Sequence, residues 1–75
     1  MQFENAASKQ FAQNLRTRRE EMGFSQEALA DMCDLDRTTI SLLERSKRSP
    51  RLDTIVTLAR ALRLASPAEL LDEIS

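Results

Sequence analysis

The chain has 75 residues, a formal net charge of −1 and 41% hydrophobic residues, which is the composition of a single ordinary globular domain. One Gly, two Pro and the lack of Trp and Tyr disfavour an all-β fold with many turns. The lack of His excludes histidine-based metal binding and general acid–base catalysis, and the single Cys33 excludes an internal disulfide. A chain of this length buries only about 60% of its unfolded surface, so pairing with a second copy would add to its stability.

No apolar run approaches the roughly 18 residues of a membrane helix, and no secretory signal is visible at the N-terminus. The sequence also contains no nucleophile with a matching base and no cluster of metal ligands. We therefore expect a cytoplasmic protein that is not an enzyme, holds no cofactor and does not contact a membrane.

The first predicted helix spans residues 9–22, after a flexible lead over residues 1–7 that has no periodicity. Its buried face collects three apolar side chains, Phe11, Leu15 and Met22. Either Asn5 or Ser8 is suited to cap its N-terminus. Gly23 is suited to the left-handed position that ends a helix.

Two short helices are predicted over residues 26–45, because the apolar positions change phase at Asp34. One face of the first helix carries Leu29, Ala30 and Cys33, one face of the second carries Ile40 and Leu43, and Leu35 plugs the turn between them. Two short helices joined by so short a break must cross at a steep angle. The stretch therefore predicts a helix-turn-helix.

Both of these helices have start signals in the sequence. Ser25 is a good N-cap for the first, and Phe24 and Leu29 are spaced to form a hydrophobic staple across it. Asp36 is a good N-cap for the second, and its negative charge suits the positive end of the helix dipole.

Two further helices are predicted after a basic loop over residues 46–50. The fourth helix covers residues 52–63, with apolar side chains at helical spacing: Leu52, Ile55, Val56, Ala59 and Leu62. Ser66 and Glu69 form a capping box for a fifth helix, whose apolar face is Leu70, Leu71 and Ile74. We therefore predict an all-α fold, a compact five-helix bundle that uses residues 1–75 as one domain.

Charge is distributed unevenly along the chain. Residues 37–51 contain five basic side chains and one acidic side chain, a local balance of +4, whereas the last seven residues are acidic. This polarity indicates one face for DNA and a separate face turned away from it. The residues expected at DNA phosphates are Arg45, Lys47, Arg48 and Arg51, and Thr39 either joins them or packs at the helix edge.

The outer face of the second motif helix points away from Ile40 and Leu43. It carries Arg37, Thr38, Ser41 and Leu42. Such a helix fits the major groove, where Arg37 can donate two hydrogen bonds to a guanine and Leu42 can contact a thymine methyl. A merely solvated face is the alternative, but an exposed leucine fits that alternative poorly.

The run over residues 26–45, QEALADMCDLDRTTISLLER, resembles the helix-turn-helix of the Cro/cI (xenobiotic-response-element) repressor family. The resemblance extends over roughly residues 9–74. The entry to the second motif helix, LDRT, together with the short chain, is most similar to the controller proteins of restriction-modification systems. Two departures are Asp34 and Ser46, which stand where the family has Gly, so the turn after the second motif helix is expected to differ.

The resemblance implies a lambda-repressor-like fold and a set of residue roles. It places Arg37, Thr38, Ser41 and Leu42 at base-reading positions and Gln26 at a phosphate. It implies an ion pair between Arg19 and Glu44 that holds the recognition helix, and a packing role for Cys33 rather than a redox role. It also implies a homodimer through the C-terminal end, residues 66–75, with Leu64, Leu70, Leu71 and Ile74 at the interface.

These observations predict a dimeric, sequence-specific transcriptional regulator that binds a near-palindromic site in double-stranded DNA, as a single dimer or as paired dimers on adjacent sites. We expect no small-molecule ligand. Two other functions remain open from the sequence. One is the DNA-binding antitoxin of a toxin–antitoxin pair, and the other is a protein–protein adaptor that uses this helical fold without DNA.

Overall fold

The computed structural model describes residues 6–72, which form four α-helices followed by a short 3₁₀ helix and contain no strand. The elements are α1 (Ala6–Glu21), α2 (Gln26–Met32), α3 (Arg37–Glu44), α4 (Leu52–Ala61) and the 3₁₀ helix (Pro67–Leu71). The all-α prediction is confirmed. Within residues 6–72, no helix combines the length and the apolar character needed to cross a membrane.

The predicted fifth helix is a 3₁₀ helix of five residues rather than an α-helix, so the described residues contain four α-helices. Its start is as predicted, because Ser66 and Glu69 form the complete capping box and Pro67 follows at the first helical position. A segment this short closes with the tighter i→i+3 turns that such pieces favour.

The first helix begins earlier than predicted, at Ala6. Ser8 lies inside α1 and is not its cap, while the alternative cap, Asn5, lies outside the described residues. Met22 was expected on the buried face but is 37% exposed, since it follows the last helical residue and the chain turns away at Gly23. Ala12, which the pattern did not single out, is buried instead.

One hydrophobic core joins all five elements. Its fully buried side chains are Leu15, Leu29, Ile40, Leu43, Leu58, Leu62 and Leu70. Leu58 was not among the apolar positions singled out for the fourth helix, whereas Leu52, which was, is 76% exposed because it is the first residue of α4. Helix α3 packs against both α1 and α2, so the core holds it from two sides.

All four α-helices end in the same way, with a left-handed residue after the helix. These residues are Gly23 (φ 76°), Asp34 (φ 55°), Ser46 (φ 59°) and Arg63 (φ 58°). After each, the next N–H bonds the carbonyl five residues earlier, for example Leu35 to Ala30 at 2.9 Å and Lys47 to Leu42 at 2.8 Å. The role of Gly23 is confirmed, and the expected difference at Ser46 is absent because serine adopts the backbone conformation of glycine there.

Candidate nucleic-acid interface

The two helices of the motif begin differently. At α2 the Ser25 hydroxyl accepts a 3.0 Å hydrogen bond from the Ala28 N–H, and Phe24 packs against the core that contains Leu29. These features confirm the predicted cap and agree with the predicted staple. At α3, Asp36 is the N-cap residue as predicted, but its side chain makes no cap hydrogen bond. The first turn of α3 closes instead on the Asp36 backbone carbonyl, which accepts from Thr39 at 3.0 Å.

The turn between α2 and α3 is filled from the inside. Leu35 is partly buried and packs against the core, as predicted. Cys33 is buried, its Sγ lies 4.0 Å from the Thr57 carbonyl oxygen, and burial raises the pKa of its thiol. A buried, protonated thiol is a small packing residue, as the family resemblance implied, and it has none of the features that activate a reactive cysteine.

The outer face of α3 is accessible at its N-terminal end. Arg37 and Thr38 are exposed, and within residues 6–72 neither side chain has a hydrogen-bond or ion-pair partner. Ser41 and Leu42 are only half-buried rather than fully exposed, so they lie further back from the surface than the pattern suggested. The four predicted base-reading residues are therefore not equivalent.

A buried ion pair holds the C-terminal end of α3 against α1. Arg19 Nε donates to Glu44 Oε2 at 2.6 Å, and its Nη2 donates to Oε1 at 3.0 Å. The third bond of the guanidinium, from Nη1, is to the Phe24 carbonyl oxygen at 2.7 Å. The side chains of Arg19 and Glu44 are 11% and 3% exposed. The hydrogen bond to Glu44 raises the pKa of Arg19 despite the opposing effect of burial.

Gln26 is part of the same network. Its Nε2 donates to Glu44 Oε1 at 3.1 Å, which sequence reasoning missed because the two residues are 18 positions apart. A carboxylate can only accept hydrogen bonds, so this contact fixes the orientation of the amide and leaves its second N–H for another acceptor. Gln26 and Arg37 also line one open depression, where a predicted phosphate contact and a predicted base reader come together.

Two of the predicted phosphate-binding arginines lie against hydroxyls of α3. Arg45 Nε donates to the Ser41 Oγ at 3.2 Å and to the Ser41 carbonyl at 3.3 Å, and Arg48 Nη1 donates to Thr39 Oγ1 at 3.4 Å. Thr39 is half-buried at the helix edge.

The remaining predicted phosphate contacts lie on the segment that follows α3. Arg51 makes a loose, exposed ion pair with Asp53 at 3.7 Å, a type of pair that contributes little to stability. Lys47 is exposed, and its backbone N–H closes the turn after α3.

The predicted dimer residues divide into different environments. Leu70 is fully buried in the core of the single chain, so its side chain is not at the surface, and its assignment is corrected to a core residue. Leu64 is partly buried, Leu71 is 41% exposed, and Ile74 lies outside the described residues.

A polar clamp that the sequence did not reveal fixes this end of the chain. Asn14 Nδ2 donates to the carbonyls of Leu70 and Asp72 at 3.0 and 2.9 Å, and Gln10 supports Asn14 from one turn away.

Comparison with known proteins assigns the family. Residues 15–70 match the HTH_3 helix-turn-helix family. The chain is 44% identical over 63 residues to the control protein C.BamHI of Bacillus amyloliquefaciens, covering 83% of this chain and 76% of that protein. The restriction-modification controller protein C.AhdI of Aeromonas hydrophila superposes with a TM-score of 0.84 at 41% identity, covering 88% of this chain and 98% of the other.

A third similar protein has been solved on DNA. The controller C.Esp1396I, a tetramer in complex with its natural 35 base-pair operator, has a TM-score of 0.81 and 27% identity, with 88% of this chain and 87% of that chain covered. These similarities confirm the resemblance to helix-turn-helix controller proteins that the sequence of residues 26–45 indicated. The chain belongs to the HTH_3 family of helix-turn-helix regulators, among relatives that control restriction-modification systems.

Proposed function

We propose that this protein is a sequence-specific DNA-binding transcriptional regulator, the controller of a restriction-modification system. The observation that carries the proposal is the arrangement of α3. Its C-terminal end is held by the buried pair of Arg19 and Glu44, while Arg37 and Thr38 at its other end are exposed and have no partner within residues 6–72. A rigidly held helix with available donors suits entry into the major groove.

Phosphate contacts on either side of α3 would set its register on the duplex. Gln26 at the start of α2 has an oriented amide with one N–H to spare, and Arg45 and Arg48 lie beside the outer face of α3. Such contacts supply affinity that depends on salt but carry no sequence information. Discrimination between sequences would fall to Arg37 and Thr38, with Leu42 as an apolar contact.

The proposed active species is a dimer. A second copy would cover apolar side chains near the C-terminal end. Leu71 is 41% exposed there, and the partly buried Leu64 lines a shallow depression together with Met22, which is 37% exposed. A two-fold axis would place the two α3 helices about 34 Å apart, one turn of DNA, so the site would be a near-palindrome. The tetramer of C.Esp1396I on its operator supports the further proposal that two dimers bind adjacent sites.

The test is selection of binding sites by the purified chain from a random duplex pool, with light scattering of the free protein for its mass. We expect a near-palindromic site and a dimeric mass. Arg37→Ala removes an unpartnered arginine of α3 and is the test variant. Arg16→Ala removes an arginine already paired with Glu20 on α1 and is its matched control. Failure of the wild-type chain to enrich any sequence at low salt would contradict the proposal.

A further inference from the structure

Ser41 and Arg45 form a hydrogen-bonded pair one helical turn apart. The Arg45 Nε–H is shared between the Ser41 hydroxyl at 3.2 Å and the Ser41 backbone carbonyl at 3.3 Å. Arg45 is the C-cap residue that directly follows α3, and its side chain folds back along the helix to reach Ser41. The bond therefore fixes the direction of an otherwise long and mobile side chain.

The pair leaves the phosphate-binding part of Arg45 available. A guanidinium has five N–H donors, and only the one on Nε is used here. Within residues 6–72 neither Nη group has a partner, and no carboxylate neutralises the charge. The two Nη groups form the planar fork that matches two phosphate oxygens, so the anchored side chain presents its strongest phosphate-binding edge.

The environments of Ser41 and Thr38 differ in a way that separates their roles. Thr38 is exposed and has no partner in the described part of the chain, so its hydroxyl is available to a base edge. Ser41 is half-buried, and its oxygen already accepts from Arg45. A hydroxyl oxygen that accepts from Arg45 can still donate its own hydrogen, so the two roles are separated by position: the half-buried Ser41 lies further from a base edge than the exposed Thr38 and is close enough to hold Arg45.

We propose that Ser41 is a positioning residue, which orients the Nη fork of Arg45 toward a DNA phosphate, and that it does not read a base. This inference rests on the proposed function, since it assigns roles within the same DNA-binding surface. The inference gives Ser41 a role in the affinity for DNA of any sequence rather than in discrimination between sequences. Anchoring Arg45 before binding removes part of the entropy that ordering its side chain would cost.

The test compares Ser41→Ala, which removes the hydroxyl, with Ser41→Thr, which keeps it. Binding of the full chain to its selected site, to single-base variants of that site and to unrelated duplex is measured at several salt concentrations. We expect Ser41→Ala to bind every duplex about two- to tenfold more weakly per subunit, with the ratio of specific to unrelated binding unchanged. Ser41→Thr is expected to restore the affinity of the wild-type chain.

A double-variant cycle shows whether Ser41 acts through Arg45. Arg45→Ala is expected to weaken binding to all sequences and to lower the slope of affinity against salt by about one for each lost phosphate contact. Adding Ser41→Ala to Arg45→Ala is then expected to have no further effect. Thr38→Ala is the matched hydroxyl control, and it is expected to alter discrimination at one base pair.

A measurement without DNA tests the pair itself. In the free protein, the Arg45 Nε–H is expected to exchange with water more slowly than that of the exposed Arg60. Ser41→Ala is expected to reduce this difference, because the backbone carbonyl of residue 41 remains as the one acceptor. Equal exchange rates in the wild-type chain would overturn the inference.

The DNA measurements distinguish this inference from the function on which it rests. If Ser41→Ala relaxes discrimination at one base pair, and does so in the Arg45→Ala background as well, Ser41 reads a base and the inference is overturned while the regulator function stands. If the wild-type chain selects no sequence, the proposed function is overturned and this inference with it.

Discussion

The two ends of α3 are built in opposite ways. At the C-terminal end, Glu44 is nearly inaccessible and bonded to Arg19 and Gln26, and the Ser46 hydroxyl donates to the Ser8 carbonyl of α1 at 3.3 Å. At the N-terminal end, the Asp36 side chain makes no cap bond, and Arg37 and Thr38 are exposed. One end of the helix is therefore fixed to the body of the protein and the other is left for a ligand.

This difference shows how arginines that look alike in sequence take different roles. Arg19 has all three nitrogens of its guanidinium bonded within the protein and is mostly buried. Arg37 is exposed and has no partner among the described residues. Burial and saturation with partners, rather than residue type, separate a structural arginine from one that is available to DNA.

Breaking the fixed end is expected to have the largest effect. Glu44→Ala leaves Arg19 buried without its counter-charge, which costs about 3–5 kcal/mol of unfolding free energy. Urea unfolding followed by circular dichroism measures the loss. The control is Glu20→Ala, which breaks an exposed pair with Arg16 and is expected to change stability by less than about 0.5 kcal/mol. A loss below about 1 kcal/mol for Glu44→Ala would show that the pair does not anchor α3.

Removing Arg37 from the N-terminal end of α3 is expected to weaken DNA binding rather than to destabilise the fold. Arg37→Ala should weaken DNA binding by about 1–3 kcal/mol and relax the choice of sequence at one base pair. Its unfolding free energy should be no lower than that of the wild-type chain, because Arg37 has no partner to lose within residues 6–72 and its positive charge opposes the helix dipole at the start of α3. Competition binding against single-base variants of the selected site measures the effect. If Arg37→Ala discriminates between sequences as well as the wild-type chain, the base-reading role is wrong.

Substitutions at the N-caps of α2 and α3 compare a cap residue whose side chain makes a hydrogen bond with one whose side chain does not. Ser25→Ala removes a real cap bond and is expected to cost about 1 kcal/mol of unfolding free energy. Asp36→Ala removes no such bond, so only its interaction with the helix dipole is lost, about 0.3–0.5 kcal/mol. Denaturant unfolding of the two variants side by side checks the order. Equal losses would mean that Asp36 caps α3 in solution.

Substitutions of the residues with a left-handed backbone are expected to have the smallest effects on stability. Arg63→Gly relieves an unfavourable backbone conformation and is expected to stabilise the chain by about 0.5–1 kcal/mol. Ser46→Gly gives the same relief but loses the bond to Ser8, worth about 0.5–1.5 kcal/mol, so its net effect is expected to be near zero. Thermal unfolding measures the stability of both glycine variants. Arg63→Ala is the control, because alanine keeps the Cβ atom that makes the left-handed backbone unfavourable. An equal gain in both glycine variants would show that the Ser46 bond contributes nothing.

Much of the fold was predictable from local signals. The phase change at Asp34, the cap at Ser25, the left-handed Gly23 and the capping box at Ser66 all depend on residues a few positions apart. The errors fall at helix ends, at Met22 and Leu52, where a residue at the right spacing for the buried face lies at the limit of the core and becomes exposed. Spacing gives the face of a helix but not how far the core extends along it.

The site was predictable in position but not in its connections. The outer face of α3 follows from the apolar stripe of Ile40 and Leu43, so the residues on it could be named from the sequence. Nothing in the sequence indicated that Glu44 binds Gln26, or that Asn14 holds a carbonyl 56 residues away. It also could not separate Leu70, in the core, from its neighbour Leu71, at the surface.

The sequence by itself determined the order of the helices, the helix-turn-helix over residues 26–45 and the family, because periodicity, capping and turn conformation are set by interactions within a few residues of chain. Only the tertiary structure decided which charged and polar side chains are hydrogen-bonded within the protein and which remain available to bind DNA. The contacts of Glu44 and Asn14 join residues 18 to 58 positions apart. Whether such groups meet depends on how the helices pack, and packing is a property of the whole core rather than of any local pattern.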